Sequence, residues 1–148
     1  HETSPILYKE PLPWVFDPPQ ADTKQLHIIM LENMVAHRGL GLSANQLGMP
    51  VKVFTMRIDD SDNAIVCFNP QILKESDETE IMKEGCLSFP GEYLDIERPN
   101  WIKVEYYDYL GTKFSDDELI GYTARCFLHE LDHLDGITYN ERVNVYDA

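Results

Sequence analysis

Five consecutive residues, His129-Glu130-Leu131-Asp132-His133, carry two imidazoles four positions apart with a carboxylate beside the first. On an α-helix four residues advance by about 400°, so His129 and His133 fall within about 40° of one another on one face. Two imidazoles at that spacing can grip one divalent cation. Glu130 is turned by about 100° from His129, which lets it act on a water at the cation without ligating it. The competing reading is two histidines on a helix surface, and the motif gains meaning only where its context agrees.

A catalytic site of this kind needs a third protein ligand and an open position. Only 15 residues follow His133, and they include Asp135, Glu141 and Asp147 but neither His nor Cys. The third ligand is therefore expected upstream. Cys86 is the candidate, in Glu84-Gly85-Cys86-Leu87-Ser88, where Gly85 permits a close backbone approach. A thiolate with two imidazoles suits Fe(II), Zn or Ni. Cys67 sits among Ile65, Val66 and Phe68 and reads as core. Cys126 precedes His129 by three on the same helix and reads as pocket wall or core. A third patch, Gly39-Leu40-Gly41-Leu42-Ser43-Ala44-Asn45-Gln46, lets backbone pass close to a ligand and ends on an amide donor. It lacks the Gly-Lys-Ser/Thr ending of a phosphate loop, and alone it is a weak sign.

The chain that must position these groups has 148 residues, which suits a single domain over 1–148 with an extended, Pro-rich segment over 1–20. Lys and Arg total 12 against 26 Asp and Glu, a net charge of −14 that argues against binding nucleic acid or anionic lipid. No apolar run approaches the roughly 18 residues of a membrane span. Residues 1–10 have no basic start or long apolar stretch and do not read as a signal peptide; the absence of an initiating Met leaves a processed terminus open. Three cysteines are too few, and odd in number, for a disulfide framework, so a reducing compartment is expected.

Helical spacing of Leu26, Ile29, Met30, Asn33 and Met34 predicts a helix from Asp22 to Arg38, with Asp22 as N-cap and Gly39 just past its end. Residues 51–57 read as a strand buried on much of both faces. Residues 65–68 form a short apolar run that Asn69-Pro70, a turn signal, should end. Residues 71–74 and 79–83 are further strand candidates around a solvated acidic loop, and 101–109 should turn at Gly111 into a hairpin. The motif helix runs from about Leu119 to Leu134 and stops at Asp135-Gly136. Its start has two readings: a capping box at Ser115-Asp116-Asp117-Glu118, or a strand over 114–119 with the helix beginning near Gly121. Runs of strands between two helices predict an α+β fold with antiparallel or mixed sheets around the C-terminal helix.

Taken in order, the three patches resemble the peptide deformylase family, which carries Gly-φ-Gly-φ-Ala-Ala-x-Gln, then Glu-Gly-Cys-Leu-Ser, then His-Glu-x-Asp-His. The second and third match fully here, and the first departs only by Ser43 at an Ala position. The resemblance spans about residues 5 to 140 and implies a hydrolase that removes the N-formyl group from formyl-Met at the start of new polypeptides. An HExxH endopeptidase is the alternative. The resemblance to peptide deformylases implies that Cys86, His129 and His133 bind one divalent metal ion, natively Fe(II) in most members, with Zn, Ni or Co able to substitute. Glu130 would move the proton, and Gln46 with the Leu87 N–H would hold the formyl oxygen. Leu40, Gly41, Glu84 and Gly85 would line the extended substrate. Leu40, Tyr122, Cys126 and the stem of Arg125 would wall the Met pocket. Asp132 would make a hydrogen bond behind the ligands or a surface ion pair.

Three positions depart from many members: Arg38 and Tyr93, where an acidic–basic pair is usual, and Leu128, where Gln is usual. A compact phage or divergent bacterial member acting in the cytoplasm fits, with an organellar origin left open. The chain ends too early for a long C-terminal ribosome-docking helix, so approach to the ribosome would be transient and without direct nucleic-acid binding.

Overall fold

Val53, Phe54, Thr55 and Met56 are all buried although a strand turns alternate side chains to opposite faces. The cause is a sheet covered on both sides. The computed structural model of the protein describes residues 11–16, 22–37, 41–58, 63–86 and 89–136, and for 85–86 and 89–94 the backbone path only. Its elements are α1 (Thr23–His37), β1 (Gly41–Ser43), a 3-10 turn (Ala44–Leu47), β2 (Val53–Arg57), β3 (Ala64–Glu75), β4 (Thr79–Cys86), β5 (Phe89–Pro99), β6 (Trp101–Tyr107), β7 (Lys113–Ile120) and α2 (Gly121–Leu134). One antiparallel sheet runs β1-β2-β3-β6-β7, and β4 and β5 pair as a separate antiparallel ribbon. This is the expected α+β arrangement.

The two faces separate cleanly. Phe54, Met56, Cys67, Ile102 and Val104 pack against Ala124, Phe127, Leu128 and Leu134 of α2. Phe127 meets Phe54 edge-on at 5.0 Å between ring centroids. On the opposite face Val53, Val66 and Phe68 join Leu26 and Met30 of α1 and Trp14 from the N-terminal segment. Leu26, Met30 and Met34 repeat every four residues along α1 and are buried, each burial stabilising by about 1.5–3 kcal/mol. Asp22 caps this helix as expected, accepting from Gln25 N at 3.1 Å; Arg38 and Gly39 lie outside the described residues.

Two local expectations change. Asn69-Pro70 does not end its strand: β3 continues to Glu75 through a register shift between Phe68 and Gln71. Asn69 absorbs the irregularity with φ 52°, while its side chain accepts from Trp14 N at 2.7 Å and donates to Trp14 O at 3.0 Å. A partner distant in sequence thus satisfies what would otherwise be a turn. The capping-box reading of 115–118 also fails. These residues belong to β7, paired with β6, and α2 begins at Gly121. The chain swings from strand to helix there with φ 54°, a conformation glycine adopts without Cβ strain. Starting the helix at 121 rather than 119 leaves His129, Glu130 and His133 in its last two turns.

Candidate active site

α2 brings the motif residues together as its spacing requires. His129 Nε2 and His133 Nε2 are 3.2 Å apart, and Glu130 Oε2 lies 4.0 Å from His129 Nε2. All three side chains are largely buried, so the surface-histidine reading fails. Burial, with the nearby charges of His129 and Arg98, holds the His133 imidazole well below its usual pKa, leaving it neutral. Burial also raises the Glu130 carboxyl to about 7, against the opposing pull of His129 and Arg98. Among the described residues Glu130 Oε1 has no hydrogen-bond partner. A buried carboxylate oxygen without a partner is costly and points to a group that the site receives.

Behind the histidines stands a buried charge cluster. His129 Nδ1–H donates to Glu84 Oε1 at 2.8 Å, which fixes the tautomer and turns Nε2 towards His133. Arg98 grips Glu84 with two bonds, Nε to Oε2 at 2.7 Å and Nη2 to Oε1 at 2.8 Å, and reaches Asp132 Oδ2 through Nη1 at 2.7 Å. Arg125 Nη1 donates to Glu84 Oε2 at 2.6 Å and to Ile96 O at 2.8 Å, and Nη2 donates to Glu80 O. Two cations thus face two carboxylates, so no charge is buried without a counter-charge. Burial alone would raise the Glu84 carboxyl, but hydrogen bonds from Arg98 and His129 hold it down at about 2. Glu84 and Asp132 in turn keep Arg98 firmly protonated against its own burial.

The sequence reading places Glu84 and Arg125 beside substrate. The structure turns the Glu84 carboxylate onto Arg98, Arg125 and His129, and sinks the Arg125 guanidinium between β4 and β5. Asp132 is buried and paired with Arg98 rather than lying in a surface ion pair. Arg98 is the residue that sequence reasoning missed. Its one signal is phase: Ile96 and Arg98 are buried on one side of β5, while Asp95 is exposed. Cys126 is buried in the α2 core with its thiol pushed up to about 12, by burial first and then by Glu130 and Glu84. Cys67 is fully buried core, and Tyr122 is half-exposed on the first turn of α2.

The Gly-rich patch crosses in front of α2. A Cβ at Gly41 would sit 2.7 Å from Glu130 Oε2 and 2.8 Å from its Cγ, so only glycine lets β1 pass this close. Gln46, on the 3-10 turn, accepts from Ser43 N through Oε1 at 2.9 Å. Leu40 and Leu87 lie outside the described residues, and Gly85 and Cys86 are seen in backbone path at the end of β4. The donor set fits a divalent cation: two convergent imidazole nitrogens, one with its opposite nitrogen held by a carboxylate, next to an unpartnered carboxylate oxygen.

A helix-borne His-Glu-x-x-His set against a Gly-rich strand suits a metallohydrolase. The family model for polypeptide deformylases matches residues 2–147. A peptide deformylase from Thermotoga neapolitana is 44% identical over 114 residues, covering 77% of this chain and 68% of the relative. One from Finegoldia magna is 41% identical over 122 residues, covering 81% and 74%. The crystal structure of the Thermotoga maritima peptide deformylase superposes with a TM-score of 0.86 at 38% identity over 94% of this chain and 91% of that one. The Met-Ala-Ser-bound class I type b peptide deformylase of Acinetobacter baumannii gives 0.87 at 31% identity over 95% and 93%. The chain belongs to the peptide deformylase family, hydrolases that remove N-formyl groups from peptides and take a single catalytic metal. No helix among its described residues is long and apolar enough to cross a membrane.

Proposed function

We propose that this chain deformylates N-formyl-Met peptides with Cys86, His129 and His133 as the metal ligands and Glu130 as the proton carrier. Fe(II) is the native ion in this reading, as in most members of the family, and the thiolate–imidazole set also suits Zn, Ni or Co as working substitutes. The observation that carries the assignment is the Glu84–His129–His133–Glu130 arrangement on and behind α2. When bound, the ion would supply a Lewis acid and make hydroxide available near neutral pH.

The protein's own groups do the rest. Glu130, with a carboxyl near 7, can take a proton from the attacking water and hand it to the leaving amine, a role worth about 10²–10⁴ in rate. Gln46 and the Leu87 N–H hold the formyl oxygen as negative charge develops, each such donor being worth about 3–4 kcal/mol. Gly41 and Gly85 offer backbone to the extended peptide, with Leu40 beside them. Tyr122, Cys126 and the stem of Arg125 wall the Met side chain. Glu84 belongs to ligand orientation rather than to substrate contact. The protein works in the cytoplasm on chains leaving the ribosome, approaching transiently and without binding nucleic acid, consistent with a net charge of −14. Formate release from a formyl-Met peptide by the metal-loaded protein tests the reading. Cleavage of internal bonds in unformylated peptides, without formate release, would favour the endopeptidase.

A further inference from the structure

Ser43 and Asn45 are both fully buried, yet the patch they belong to is a short strand and one 3-10 turn. Buried polar side chains need partners, and theirs lead in one direction. Asn45 Nδ2 donates to His133 O at 2.6 Å, a bond between residues 88 apart in the chain. That carbonyl belongs to the last turn of α2 and also receives Gly136 N at 3.2 Å. Ser43 Oγ then donates to Asn45 Oδ1 at 2.6 Å and lies 3.0 Å from Gln46 Oε1.

Both amide orientations follow from partners that can play only one role. A backbone carbonyl only accepts, so the Asn45 NH₂ faces His133 and its oxygen faces Ser43. A backbone N–H only donates, so the Gln46 oxygen faces Ser43 N at 2.9 Å and its NH₂ is the opposite end of the side chain. The chain of contacts therefore runs from the main chain of His133 through Asn45 and Ser43 to the Gln46 amide.

We propose that Asn45 is a positioning residue: it latches the turn carrying Gln46 to the metal-ligand end of α2, with Ser43 passing the constraint to the Gln46 amide. The inference rests on the reading of Gln46 as the donor to the formyl oxygen. One buried carboxamide fixes the distance between that donor and the residue that holds the reacting centre, across two elements with no chain connection nearby. Positioning of this kind acts on the transition state, where a misplacement of about 1 Å can cost about 100-fold.

A mutant cycle tests it on the metal-loaded enzyme with a formyl-Met-Ala-Ser peptide: wild type, Asn45→Ala, Gln46→Ala and the double variant, each with metal content measured. Asn45→Ala should lower kcat by about 10- to 100-fold with KM within about twofold and metal stoichiometry unchanged. In the Gln46→Ala background the same change should cost less than about threefold, because the donor it positions is gone. Ser43→Ala leaves the His133 contact intact and should show a smaller loss with the same dependence on Gln46; it carries the test should Asn45→Ala fail to fold. In the metal-free protein the Gln46 side-chain NH₂ resonances should move to exposed-amide positions in Asn45→Ala while the α2 backbone resonances stay in place. Equal losses in both backgrounds, or activity falling in step with metal content, would overturn the latch. A wild type that releases no formate would instead overturn the reading beneath it.

Discussion

Glu84 and His129 are joined by a 2.8 Å bond from His129 Nδ1 to Glu84 Oε1, which sets a carboxylate directly behind a proposed ligand ring. The bond selects the tautomer, points Nε2 at His133 and makes the ring a better donor to a cation. Glu84→Gln keeps the shape but removes the charge. It should weaken metal binding about 10- to 100-fold, read by competition with a chelator. Unchanged affinity would show that the contact does not tune the ring.

The same carboxylate links stability to acid. Glu84 titrates near 4.5 in an unfolded chain and at about 2 here, so its stabilisation is present above 4.5 and is lost as pH falls towards 2. The amount is roughly 3 kcal/mol at neutral pH. Urea unfolding of the metal-free protein between pH 4.5 and 3 should show this slope, and Glu84→Gln should flatten it.

Glu130 carries the opposite sign. Its carboxyl is raised from 4.5 to about 7, so between those values the folded chain holds a proton that the unfolded chain has lost. Stability of the metal-free protein must therefore fall as pH rises through that window. Glu130→Gln should be more stable than wild type at pH 8 by roughly 1–3 kcal/mol and equal to it near pH 4. A thermal unfolding comparison at the two pH values checks both parts.

Gly41→Ala places a methyl 2.7 Å from Glu130 Oε2. The carboxylate must move, because the backbone of β1 is paired to β2 and cannot. Loss of kcat by about 100-fold is expected, with the fold retained, measured by formate release beside a circular dichroism spectrum.

Arg98→Met should be the most damaging of the charge-cluster changes. It takes the Arg98 charge away from both Glu84 and Asp132, and breaking a buried pair from one side costs about 3–5 kcal/mol. Chemical denaturation of the metal-free variant gives the number.

His129, Glu130 and His133 were legible in the sequence because four-residue spacing is a property of the helix itself. The strand at β2 and the stripe of α1 were legible for similarly local reasons. Arg98 was not, since its burial depends on β5 pairing with β4 and both lying behind α2. Asn69-Pro70 misled because a turn signal is local, whereas the partner that keeps Asn69 inside β3 is Trp14, 55 residues earlier. Asn45 read only as a small residue in a Gly-rich patch; its partner, His133 O, is set by how two distant elements pack.

The central assignment is that Glu130 moves the proton while the histidines hold the metal. The most direct test is formate release from a formyl-Met peptide by wild type and Glu130→Gln, with bound metal measured on the same samples. Expected are activity in the wild type, a loss of at least about 100-fold in the variant, and one metal ion per chain in both. Wild-type rates from a metal-loaded Glu130→Gln protein would contradict it.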